Sequence, residues 1–223
     1  MHGMSPVRFV AEHEWLGSDV WFAHLVKLDA EEIALLGSTG TGIAHCPQSN
    51  GRLGSGIAPI LALQAAGVPI SMGVDGAASN EAADMISEVH AAWLMQRAAA
   101  GDRSQPLYRG GNGEGESTAV TADDVVAWGT SGGAKVLGLD AIGTLAPGMA
   151  ADIALYALDD PRYFGLHDVA VGPVASGGRP ALKGLWVNGQ RVVEDDVLRG
   201  VDVGELRNEA RGAVRRLMTT YSL

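Results

Sequence analysis

Residues 20–50 read VWFAHLVKLDAEEIALLGSTGTGIAHCPQSN, and the changes of rhythm inside this stretch decide the fold. Val20–Leu28 is a mostly apolar run and predicts a strand. At Asp29 the rhythm turns helical. The Asp29 carboxylate can cap the first free N–H groups, Glu31 and Glu32 fall in the turn where the helix dipole favours acids, and Gly37 and Gly40 end the helix. Gly42–Cys46 then returns to strand. A strand, a helix and a second strand in such close order form the repeating unit of a parallel sheet.

The alternation continues downstream. A helix is expected over Ile57–Ala66, stopped by Gly67, then a strand over Val68–Val74. A long amphipathic helix follows over Ala82–Ala100, with Met85, Val89, Ala92, Trp93 and Met95 as its apolar positions. Gly110–Ser117 holds four glycines and no apolar residue. Those glycines do not stand between a strand and a helix, so the stretch reads as a flexible loop and not as a phosphate cradle. Thr121 opens a helix that runs to Leu137, and Thr121 with Asp124 makes a TxxD capping pattern. Past Asp140 the pattern changes. Residues 143–158 (GTLAPGMAADIALYAL) and 182–198 (LKGLWVNGQRVVEDDVL) read as strands joined by Pro and Gly turns, with Asn188-Gly189 marking a hairpin. Val203–Thr220 is helical again and is expected to pack back on the rest. The expected domains are therefore residues 1–141, a small β module at 142–202 and a C-terminal helix at 203–223.

Composition narrows the function classes. A chain of 223 residues, 47% hydrophobic, can build one sizeable core or a core with a small module. Acids outnumber bases 26 to 16, for a formal charge of -10, which repels a phosphate backbone and argues against a nucleic-acid partner. Arg207, Arg211, Arg215 and Arg216 alternate with Glu205 and Glu209 at helical spacing and read as a solvated helix face. The single Cys46 excludes an intrachain disulfide and a multi-cysteine zinc site. Met1 is not followed by a basic-then-apolar leader, and the uncharged run Gly54–Val74 is broken by Pro59, Gln64, Gly67 and Pro69. A cytoplasmic protein without a membrane span is expected.

Each of the three expected strands closes on a polar side chain: His24, His45 and Asp75. In parallel α/β folds the C-terminal edge of the sheet is where sites assemble, so these three can converge on one pocket. Taken singly, a strand-end His has a structural reading and an Asp before Gly is a turn residue; three in succession favour a site. Cys46 alternates to the opposite face from His45, which makes it a buried thiol and not a nucleophile. His2, His13, His90 and His167 lie at positions that suggest no function.

Three stretches, FAHLVKLDAEEIALL (22–36), GIAHCPQSN (42–50) and PISMGVDGAASNE (69–81), resemble the last three barrel segments of amidohydrolases of the cytosine- and guanine-deaminase type. GTLAPGMAADIAL (143–155) is similar to the segment where those enzymes enter their accessory β-sandwich. YFGLHDVAVGPVASGGRP (163–180), followed by LWVNGQRVV (185–193), most resembles the 8-oxoguanine deaminases, with related triazine aminohydrolases sharing much of the pattern. The resemblance covers nearly the whole chain. It implies the C-terminal part of a (β/α)8 TIM barrel plus a small accessory β-sandwich module and a C-terminal helix.

It also implies a hydrolytic deaminase of a purine-like ring, with one divalent metal, zinc ahead of iron, that activates water and expels ammonia. In that pattern Asp75 is the metal ligand and accepts the proton of the water, and His24 orients the water or the developing oxyanion. His45 contacts the substrate. Asn50 and Ser79, with Ser49 and Asn80, are either pocket residues or turn formers.

The family pattern further requires an HxH pair and an HxxE motif, and neither occurs in the chain. A catalytic zinc takes about three protein ligands, which Asp75 with a nearby His does not supply. The expectation is a chain that begins where the fifth barrel strand would end, binds metal poorly, lacks activity alone and tends to associate. It would do so with itself or with a complementing N-terminal half. Three other readings compete: a triazine or S-adenosylhomocysteine-type aminohydrolase, a noncatalytic subunit or scaffold, and an ordinary doubly wound binding protein in which His24, His45 and Asp75 are a coincidence.

Overall fold

The computed structural model describes residues 3–101, 120–166 and 168–221; the Gly110–Ser117 loop, His2 and His167 lie outside them. The chain divides into two compact units, Met1–Met149 with Leu158–Pro180, and Ala150–Ala157 with Ala181–Leu223. Relative to the expected boundaries, residues 158–180 group with the barrel-like unit and not with the β module.

The first unit opens with α1 (Pro6–Glu12), followed by β1 (Trp21–Ala23), α2 (Ala30–Thr39) and β2 (Gly42–His45). A short α3 (Pro47–Arg52), α4 (Ile60–Ala65) and β3 (Ile70–Met72) complete the alternation. The sheet order is β1-β2-β3 and every pairing is parallel: Ala23 lies opposite Ala44, and His45 opposite Met72. Capping follows the sequence. Asp29 and Glu32 form a reciprocal capping box on α2, and Gly40 ends it in the left-handed conformation. Gly37 lies inside that helix, where an added Cβ would stand 2.1 Å from the Ala66 carbonyl oxygen. It serves close packing instead of termination.

The strands are shorter than their apolar runs. β1 stops at Ala23 because His24 (φ 70°) and Leu25 (φ 42°) both turn left-handed, so the strand ends short of the expected Leu28. α3 has no counterpart among the expected elements, since six residues that begin with a proline carry no helical periodicity. Helix α5 (Met85–Ala100) starts at the Asp84 cap, whose carboxylate accepts from the N–H groups of Ile86 and Ser87. Its buried face comprises Glu88, Val89, Ala92, Trp93 and Gln96; of the expected apolar positions Met85 is exposed and Met95 half-buried, and the polar Glu88 and Gln96 are buried in their stead.

The expected helix from Thr121 to Leu137 forms with an interruption. α6 (Ala122–Ala127), capped by the Thr121–Asp124 box, passes into one π-helical segment at Trp128–Gly132 and then α7 (Gly133–Leu137). The wide turn brings Gly132 onto β3, where a Cβ would lie 2.2 Å from the Ile70 carbonyl oxygen. The core gathers Leu36, Ile43, Ile60, Leu63, Ile70, Val89, Val125 and Trp128. Each fully buried aliphatic side chain among them contributes about 1.5–3 kcal/mol. The later segment of this unit holds a 3-10 turn (Pro161–Tyr163) and α8 (Gly172–Ala175), with Tyr163, Val171 and Val174 buried. His90 of α5 hydrogen-bonds the Val174 carbonyl oxygen through Nδ1 at 2.5 Å. That contact, together with the packing of α8 on α5 and α6, ties 158–180 to this unit.

The second unit is one antiparallel sheet of β4 (Ile153–Tyr156), β5 (Leu182–Val187), β6 (Gln190–Glu194) and β7 (Val197–Leu198), in that order, followed by α9 (Val203–Tyr221). Asn188 (φ 48°) and Gly189 (φ 79°) are both left-handed, the requirement of a type I′ hairpin turn. In α9 the side chains of Val203, Leu206, Val214, Leu217 and Met218 are exposed.

Candidate active site

His24 and Asp75 sit just past the ends of β1 and β3, both with left-handed backbone, and His45 is the last residue of β2. The Nε2 of His24 faces Oδ2 of Asp75 at 3.8 Å. On its other side His24 Nδ1 donates to Asn50 Oδ1 at 2.8 Å, which fixes the ring with Nε2 toward the carboxylate. Asp75 Oδ2 accepts hydroxyl hydrogen bonds from Ser49 at 2.5 Å and Ser79 at 2.9 Å. The bond from Ser49, the Gly76 N–H and the bond from Ser79 together pull the carboxyl down to a pKa of about 2. Asp75 is therefore ionised throughout the neutral range.

His45 is different in kind. It is only 1% exposed, and neither ring nitrogen has a hydrogen-bond partner among the described residues; the same holds for Asn50 Nδ2. Burial, reinforced by the neighbouring His24, lowers its pKa to about 4, so the ring is neutral at physiological pH. Orphaned buried nitrogens are uncommon, and a polar ring placed against them would satisfy them. Cys46 is buried, and desolvation, with Asp75 and Glu88 nearby, lifts its thiol to about 11, so it stays protonated. That matches a packing role.

The side chains expected at the site come together, with a shift of partners. Asn50 and Ser79, expected at the substrate, direct Oδ1 and the hydroxyl to His24 and Asp75. Asn80 points away, to Glu88 of α5, which sequence reasoning missed. Among the described residues no three His, Cys, Asp or Glu side chains group to hold a metal ion. Asp75 and His24 are two donors where zinc takes about three, so the metal-site fit is incomplete within these residues.

The sequence profile of the amidohydrolase family matches residues 3–192. The chain belongs to the amidohydrolase family. An isoxanthopterin deaminase from an unknown prokaryotic organism is 66% identical over 218 residues, covering 98% of this chain and 45% of that protein. The 8-oxoguanine deaminase of Pseudomonas aeruginosa is 39% identical over 216 residues, covering 97% of this chain and 44% of that protein. Among solved structures, an adenosine deaminase from Xanthomonas campestris with bound zinc superposes with a TM-score of 0.87 at 30% identity, over 98% of this chain and 47% of that one. The chain thus spans about half the length of the relatives it matches. This membership removes the doubly wound binding protein as a reading, and the three-stranded parallel sheet is part of the amidohydrolase barrel. No helix among the described residues is long and apolar enough to cross a membrane.

Proposed function

We propose that the chain supplies one part of the active site of a hydrolytic deaminase acting on an oxo-substituted, fused amino-heterocycle. The reaction is replacement of a ring C–NH2 by C=O with water consumed and ammonia released. The observation that carries this reading is the ionised Asp75 carboxylate held by two serines opposite a His24 ring held by an asparagine.

In this arrangement Asp75 accepts hydrogen bonds from the attacking water and takes up its proton as the C–O bond forms. His24 Nε2 orients that water, and neutral His45 meets the heterocycle. Identity of 66% with an isoxanthopterin deaminase against 39% with an 8-oxoguanine deaminase supports a pterin-like ring over the purine expected from the sequence. The family relative with zinc supports a divalent metal, but Asp75 and His24 do not complete its ligand set, and the remaining donors would come from a complementing segment. A cytoplasmic setting accords with a lone cysteine that is buried and protonated.

The test is complementation. The chain is mixed, with zinc, with the part of the isoxanthopterin deaminase that it does not match, and ammonia release is followed from isoxanthopterin, 8-oxoguanine, guanine, S-adenosylhomocysteine and an amino-triazine. Isoxanthopterin is expected to react fastest, and Asp75→Asn to lower the rate by about a hundredfold or more. A faster 8-oxoguanine would move the substrate to the purines. Stoichiometric zinc with no ammonia from any ring would remove the deaminase reading and leave the scaffold.

A further inference from the structure

We infer that Glu88 is a positioning residue that clamps together the two loops carrying the hydrogen-bond partners of Asp75 and His24. Glu88 lies on α5, is 0% exposed and touches neither of those side chains through a hydrogen bond. Its Oε1 accepts from the backbone N–H of Gln48 at 3.0 Å. Its Oε2 accepts from Gln48 Nε2 at 2.7 Å and from Asn80 Nδ2 at 2.8 Å. Gln48 Nε2 also donates to Ser87 Oγ at 3.0 Å, which anchors it to the same helix.

The sequence neighbours of these donors are the residues that build the site. Gln48 turns to Glu88, while Ser49 turns to Asp75 and Asn50 to His24. Asn80 turns to Glu88 while Ser79 turns to Asp75. One carboxylate beneath the site thus holds α3 and the 75–80 loop in mutual register, so that two serines from different segments reach the same oxygen.

All three contacts to Glu88 are N–H donors, which matches an acceptor-only carboxylate; a carboxylic acid would aim its own proton at a donor. Burial and the Asp75 charge push the Glu88 pKa up, and the Gln48 and Asn80 bonds oppose that shift. A buried charge without donors is strongly unfavourable, so the two loops and the carboxylate are mutually required.

The clamp can be tested on the whole chain without substrate or metal, so its outcome is independent of the deaminase reading. Glu88→Gln keeps the volume but turns an amide NH2 toward donors. Amide exchange in Ser49–Leu53 and Gly76–Asn80 is expected to accelerate about tenfold, with a change in the ring nitrogen signals of His24, while β2 and α4 exchange as before. Adding Asn80→Asp gives the new amide an acceptor and is expected to return both readouts close to the starting values. Unchanged exchange and His24 signals in Glu88→Gln, or no recovery in the double variant, would overturn the inference. If Glu88→Gln does not fold, Asn80→Ala decides. Acceleration confined to the two loops supports the clamp, and either no change or a uniform rise that includes β2 and α4 rejects it.

Discussion

Ser49 and Ser79 converge on a single oxygen of Asp75, and this explains the acidity of a carboxylate that remains open to solvent. Ser49→Ala is expected to raise the Asp75 pKa from about 2 toward the ordinary carboxylate range, with Ser79→Ala acting in the same direction and less strongly; side-chain carbon NMR titration reads both. His45 gives a stability signature. Its folded pKa of about 4 lies below the ordinary 6.5, so below pH 6.5 the unfolded chain binds the proton more readily. The His45 contribution is full above pH 6.5, is lost as the pH drops from there to about 4, and changes no further below. The ceiling on this loss is about 3 kcal/mol, and urea unfolding at pH 7 and pH 4.5 should show a slope that His45→Asn flattens. His24, His45 and Asp75 are legible in the sequence because each is a polar side chain set within or directly after an apolar run. Glu88 is not, because a glutamate on an amphipathic helix resembles every solvent-facing glutamate until its burial is known.

Elements were legible where a chemical signal marks them and obscure where only geometry does. The Asp29 and Thr121 caps, the Gly67 stop and the Asn188-Gly189 turn all form as their side-chain chemistry predicts. Strand ends are misjudged because an apolar run persists through Leu25 and Val26 after the backbone has already turned at His24. The π segment leaves no mark beyond a WGTSG sequence, yet it lets Gly132 approach the Ile70 carbonyl. Gly132→Ala is expected to destabilise the chain by about 1–3 kcal/mol, since the obstructing atom is backbone and cannot rotate away. Thermal unfolding measures it, and an unchanged midpoint would mean that the π segment can shift along β3. Gly133→Ala is the control, because the nearest atom to its added Cβ is at 4.0 Å.

At the scale of the molecule, β1 and β3 each have one hydrogen-bonded neighbour among the described residues, and Trp21 on β1, Leu53 after α3 and Ile57 before α4 are exposed. Open strand edges and apolar surface favour association. The 223-residue chain is expected to elute as species larger than 23.1 kDa and, under the proposed function, to shift to a single defined complex when the unmatched part of the isoxanthopterin deaminase is added; light scattering on the eluate distinguishes these from a stable monomer. The supports of the candidate site lie close together in sequence. His24, Asn50, Ser49, Asp75, Ser79, Asn80, Gln48 and Glu88 all fall within residues 24–88. Because these eight residues share one stretch of chain, exchanging that single segment with a related amidohydrolase would transplant the proposed site together with its bracing, while the backing core would still have to be matched at Val125 and Trp128.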